Sequence, residues 1–161
     1  MLFDNCVHIA ERVVELQGHV TLEWPERCTY WLFTKVKRLL KTSDMPWHIF
    51  TTDACAHALK VETRKHQGKH IQQSIKIATT LDNLQSFVHF KCGGGHEHAP
   101  QSGMFLPEAA HHSQLFADRV HQAFAQKPRV VNDKRTTLNA DRVLATERCT
   151  LAAVPALCAS A

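Results

Sequence analysis

Three residues in one glycine-rich stretch have the types and spacing to hold a metal ion. In KCGGGHEHAPQSG, residues 91 to 103, Cys92, His96 and His98 form a C-x3-H-x-H pattern. Zinc takes cysteine sulfur and histidine nitrogen in a tetrahedron, and a glycine-rich turn lets nearby side chains converge on one ion. A fourth ligand must come from elsewhere, and His89, Cys55, His111 and His112 are all candidates. The spacing is not that of a standard zinc finger, and the alternative is a glycine turn whose histidines are exposed or bonded to backbone. The metal reading implies a small zinc-stabilised binding module without enzymatic activity.

Glu23 is the second candidate. In HVTLEWPERCTYW, His19 to Trp31, an alternating strand ends on a lone glutamate followed by Trp24 and Pro25. Ligands of open α/β sheets bind outside the carboxyl ends of the strands, which makes Glu23 a candidate site residue with partners outside this chain. The competing reading is a solvent-exposed carboxylate where the chain leaves the sheet. Other chemistries are not encoded as motifs. The chain has no G-x-G-x-x-G, no Walker-type phosphate loop and no G-x-S-x-G elbow, and H-E-H at 96 to 98 lacks the i, i+4 histidine pair of a zincin helix.

The elements that must position these residues follow from periodicity. Phe3, Cys6, Val7, Ala10, Val13 and Val14 recur at helical spacing over residues 3 to 17, and Gly18 supplies a left-handed helix end. His19 to Trp24 is a strand closed by Pro25. Thr29 to Lys41 fits a helix with Tyr30, Phe33, Val36 and Leu40 on one face and Lys35, Lys37, Arg38 and Lys41 on the other. HIFTT (48 to 52) and IKIATT (75 to 80) are apolar strands, each ending in Thr-Thr as an N-cap before a helix in ACAHALK and in LDNLQSFV. VETRKHQGKHIQQ between them is a hairpin tip or loop. The cations in and beside it, Lys60, Arg64, Lys65, Lys69 and Lys76, could meet phosphate but read chiefly as a solvated loop. PEAAHHSQLFADRVHQAFAQ, opened by Pro107, is a last helix over 107 to 125, with Leu115, Phe116, Val120, Ala123 and Phe124 on one side. Helix and strand alternate, which is an α/β rhythm.

The 161 residues carry a formal charge of +4 and 44% apolar content, those of one globular domain. Residues 127 to 161 hold six Lys/Arg against three Asp/Glu, so most of the charge sits in a basic tail that reads as disordered, leaving 1 to 126 as the folded α/β part. All 12 histidines fall in that folded part. No apolar run approaches the roughly 20 residues that cross a bilayer, so no membrane partner is expected. Asp4 and the lack of a basic segment before it argue against a secretory signal, which gives the expectation of an intracellular location, cytoplasmic or nuclear, with cysteines that are free or ligating.

Taken together, HVTLEWPERCTYW, TTDACAHAL, IKIATT, the C-x3-H-E-H-A loop with Gly103, and FADRVHQAF resemble a domain of polyprotein-like open reading frames in eukaryotic mobile elements. The resemblance covers residues 1 to 126. That domain is similar to the class I methyltransferase fold, with features of DNA cytosine-C5 methyltransferases. The resemblance implies a partial Rossmann-like three-layer sheet, the C-terminal half of such a fold, with a nucleic-acid partner and Glu23 as the catalytic, base-contacting residue. The S-adenosylmethionine loop and the Pro-Cys nucleophile of those enzymes do not occur, and Met1 lies only 22 residues before Glu23. A fragment inactive alone is therefore expected, binding S-adenosylmethionine only with an upstream half and associating with itself through an exposed sheet edge.

Overall fold

Helix α1, Leu2–Glu15, turns Val7, Ala10 and Val14 inward, as its apolar spacing requires. The computed structural model describes residues 2–42, 45–62, 66–99 and 111–126. The left-handed residue that ends α1 is Gln17, at φ 59°, rather than Gly18. Gln17 N–H donates to the Val14 carbonyl and Gly18 N–H to that of Val13, the paired bonds of a Schellman cap. Gly18 is required for space: a Cβ there would lie 2.7 Å from Val13 Cγ1.

The sheet has three strands, β1 (Thr21–Pro25), β2 (His48–Asp53) and β3 (Ser74–Thr79), in the order β1-β3-β2. β3 runs antiparallel to both neighbours, so β1 and β2 run parallel to one another. The chain crosses between them through a 3-10 turn, Thr29–Leu32, and helix α2, Thr34–Thr42. A single helix over Thr29 to Lys41 is not formed. Phe33 is extended (φ −64°, ψ 134°) and separates the two pieces. The break lets Trp31 bury and donate its indole N–H to the Pro25 carbonyl at 3.1 Å, while Tyr30 and Phe33 close on Phe3 of α1. The inward face of α2 is accordingly carried by Val36 and Leu39.

Side chains alternate across the sheet, so Ile77 and Ala78 of β3 enter different cores. Leu22, Trp24 and Ala78 meet α1 and α2 together with Val7, Ala10, Trp31, Val36 and Leu39. Phe50, Ile75 and Ile77 meet α3 (Leu84–Val88) and α4 (Gln114–Ala125) through Leu84, Val88, Phe116 and Ala123. The result is a mixed α/β fold of three layers, helices on both faces of a small antiparallel sheet.

Helix formation after β2 is confined to a 3-10 turn, Ala54–His57, because Ala58 takes a left-handed conformation at φ 61°. The Thr-Thr pairs do not cap helices. Thr52 and Thr79 are strand residues, and their hydroxyls, with that of Thr80, satisfy buried partners: Thr79 Oγ1 donates to the Val20 carbonyl, and Thr80 Oγ1 accepts from Val20 N–H. Helix α4 is capped by Ser113, whose side chain accepts from Phe116 N–H, while Leu115 and Phe124 of the expected apolar stripe are exposed. A single helix over 107 to 125 is not formed, because residues 111–113 are not helical and Ser113 is extended at the cap. Pro107 itself lies outside the described residues, as do Arg64, Lys65 and the tail from 127 onward. No helix among the described residues is long and apolar enough to cross a membrane.

Candidate metal centre

The turn after β2 and the loop after α3 bring four ligand-bearing side chains together. Cys55 stands on the 3-10 turn, fully buried, and Cys92, His96 and His98 follow α3 on the glycine loop. One ligand atom from each lies within 4.8 Å of all the others, so the group could hold a metal ion. Cys92 Sγ is 3.7 Å from His96 Nε2 and 3.4 Å from His98 Nε2, and the two Nε2 atoms are 3.0 Å apart. A tetrahedral zinc with Zn–S of about 2.3 Å and Zn–N of about 2.0 Å sets sulfur–nitrogen edges near ~3.5 Å and nitrogen–nitrogen edges near ~3.3 Å. The two sulfur–nitrogen separations fall on either side of the first value, and the nitrogen–nitrogen separation of 3.0 Å is slightly shorter than the second.

Backbone contacts hold the loop in place. Asp53, the last residue of β2, accepts Cys92 N–H on Oδ2 at 2.9 Å, and its own N–H donates to the Phe90 carbonyl at 2.9 Å. On the other side His70 N–H donates to the Glu97 carbonyl and Ala99 N–H to that of His70, a one-bridge parallel pairing that fixes His98. The His70 ring lies 3.9 Å from that of His96. Lys69 pairs with Glu97 at 2.9 Å between the two histidines of the motif. Gly94 takes φ 75°, and a Cβ on any of Gly93 to Gly95 would meet open space, so these glycines serve the turn and leave the loop uncrowded. Burial pushes the Cys55 thiol up to about 12, helped by its hydrogen bond to Cys92. Burial likewise holds His70 below the ordinary imidazole range, with His96 and Lys60 adding to the effect.

Of the four candidates for the remaining corner, only Cys55 is there. His89 stacks on Phe50 with ring centroids 5.8 Å apart and bonds to Gln85. His111 and His112 lie before α4, lining a cleft with Lys60 and Glu62. His112 belongs to Glu23.

Glu23 is not at the end of its strand. It is the middle residue of β1, in register with Ile77, and its side chain shares the face of Ile77 and Phe50. The half-buried carboxylate is met within this chain by His112 Nε2 at 2.9 Å. The hydrogen bond to Glu23 raises the His112 pKa against the opposing effect of burial, and the imidazole stacks on Phe116. Glu23 is therefore half of an internal acid–imidazole pair, separated from the Cys/His cluster by strand order: Glu23 lies on β1, and Cys55 follows β2 beyond β3.

A buried polar group missed by periodicity lies between the two. His57, two residues after Cys55, is almost wholly buried, and burial and the nearby Arg119 cation lower its pKa to about 4. Its ring contacts Thr52 Oγ1, the Val88 carbonyl and Arg119, and its carbonyl accepts from the Ser113 hydroxyl. The signal in the sequence was Thr52, a polar residue at an inward position of an apolar strand. Compared with protein-family models, curated proteins and solved structures, the chain matches none.

Proposed function

We propose that the chain is a small zinc-stabilised α/β binding module, with Cys55, Cys92, His96 and His98 as the four ligands of a closed site. The observation that carries this reading is the convergence of four soft and imidazole ligands within 4.8 Å from two separate segments. Four protein ligands leave no open position for substrate or water, which is the character of a structural rather than a catalytic zinc. Zinc here would join the turn after β2 to the loop after α3, adding a direct link to the hydrogen bonds between them. Cobalt substitution tests it: a tetrahedral cobalt spectrum with thiolate charge-transfer absorption is expected, diminished in Cys55→Ser. A chain that takes up no cobalt and still melts cooperatively would refute it.

The parallel β1–α2–β2 crossover supports a second reading, a fragment of a Rossmann-like methyltransferase domain of mobile-element origin. In it Glu23 is the base-contacting residue, nucleic acid is the partner, and the outer edge of β1, which pairs with no second strand among the described residues, is available for self-association. This chain alone would then have negligible affinity for S-adenosylmethionine, and micromolar binding by titration calorimetry would contradict it. The two readings are compatible, because a structural ion can belong to such a fragment.

A further inference from the structure

We propose that the Cys55–Cys92 pair is a redox switch that releases the metal by closing into a disulfide. The proposal rests on the zinc reading and adds to it how occupancy is controlled. Two of the four ligand atoms are sulfurs, and they lie within 4.8 Å of each other. A disulfide needs them at about 2.05 Å, with both bonding to carbon as before, so the movement required is a few ångströms at one side chain.

The two cysteines are unequal in a way that fits stepwise oxidation. Cys92 is partly exposed on the glycine loop, and Cys55 is fully buried on the turn beneath it. Cys92 is followed by Gly93, Gly94 and Gly95, none of which has a heavy atom within 4 Å of the Cβ position. The glycine stretch between the pinned ends of the loop faces open space, while the Cys55 turn is fixed by the Ala54 N–H bond to Gln73 and by the buried His57. The exposed sulfur is the one an oxidant reaches, and the buried one is placed to resolve it.

The reaction balances with hydrogen peroxide as the two-electron oxidant. The Cys92 thiolate attacks one peroxide oxygen; the O–O bond breaks, an S–O bond forms, and the departing hydroxide takes a proton to become water. The Cys55 thiolate then attacks the Cys92 sulfur of the sulfenic acid. An S–S bond forms, the S–O bond breaks, and a second hydroxide leaves and is protonated to water. Both thiolates are lost as ligands, and His96 and His98 alone are too few to close a zinc tetrahedron. A thiol reductant with zinc restores the original site.

The test uses the full-length zinc-loaded chain. Peroxide is added in steps, released zinc is read with a chromogenic chelator, and cysteine pairing is mapped by mass spectrometry of alkylated, non-reduced peptides. One zinc released per Cys55–Cys92 disulfide, reversed by reductant and zinc, is the expected result, unchanged in Cys6→Ser, which removes a free thiol on α1 outside the cluster. Zinc retained under peroxide, or released with Cys92 as sulfinic acid or paired to a different cysteine, would overturn the switch while leaving the metal site standing. Absence of zinc before any oxidant is added would overturn both. The pairing is read on the unsubstituted chain, so the result does not depend on a ligand variant that fails to fold.

Discussion

The guanidinium of Arg119 donates to Nδ1 of His57 at 2.9 Å, joining helix α4 to the turn that carries Cys55. A guanidinium only donates, so Nδ1 presents its lone pair and the ring proton sits on Nε2, facing Thr52 Oγ1 at 2.7 Å and the Val88 carbonyl at 3.1 Å. Thr52 Oγ1 passes its own proton to the Phe90 carbonyl at 3.0 Å. Every polar atom of this buried imidazole is matched, and it is matched as the neutral form.

His57→Leu should therefore destabilise the fold despite adding apolar volume. The substitution leaves the partly buried Arg119 donor and the buried Val88 acceptor without their imidazole partner, at a cost of about 1–3 kcal/mol. Urea denaturation should show a lower midpoint with an unchanged slope. A variant as stable as the parent would mean that the network contributes packing alone.

Arg119 also stands 4.2 Å over the Phe90 ring, immediately before the metal loop. Arg119→Lys keeps the charge but loses the planar face and the directed bond to Nδ1, and a loss of roughly 1 kcal/mol is expected. Arg119→Lys matching the parent in denaturation would argue that charge alone matters there.

The Glu23–His112 pair gives stability a pH dependence of definite sign. The pKa of His112 is raised in the folded chain. Its contribution is complete below the ordinary histidine pKa of about 6.5 and is lost as pH rises through the elevated folded value. The imidazole is 42% exposed and the carboxylate 23%, so the pair contributes no more than about 1 kcal/mol. The stability gap between the parent and Glu23→Gln should be largest near pH 6 and shrink in alkaline solution. A gap that grows with pH would contradict the pairing.

The cap of α1 offers two opposite substitutions. Gln17→Gly relieves a left-handed side-chain residue and should stabilise by about 0.5–1 kcal/mol. Gly18→Ala places a methyl 2.7 Å from Val13 Cγ1 and should cost about 1–2 kcal/mol. Thermal melts of the two should move in opposite directions.

The Cys/His cluster was legible in part because three of its residues are local: Cys92, His96 and His98 share one loop, and three glycines announce a turn. Cys55 was one of four candidates, since its approach to that loop is set by the Asp53 contacts with Phe90 and Cys92, which no spacing encodes. The α/β rhythm was legible from periodicity, whereas the antiparallel insertion of β3 between β1 and β2 was not, because strand order is a long-range property. Thr52, Thr79 and Thr80 looked like caps, but their hydroxyls bond to Phe90 and Val20, distant in the chain. Phe33 falls in phase with the α2 face yet breaks the helix, a case of tertiary aromatic packing overriding local propensity.

Metal content, measured on the full-length chain purified without added chelator, tests the central claim most directly. Elemental analysis with native mass spectrometry should give one zinc per chain, with chelation lowering the thermal transition and Cys55→Ser losing most of the metal. A cooperatively folded chain that contains no zinc and is indifferent to added zinc or chelator would contradict it.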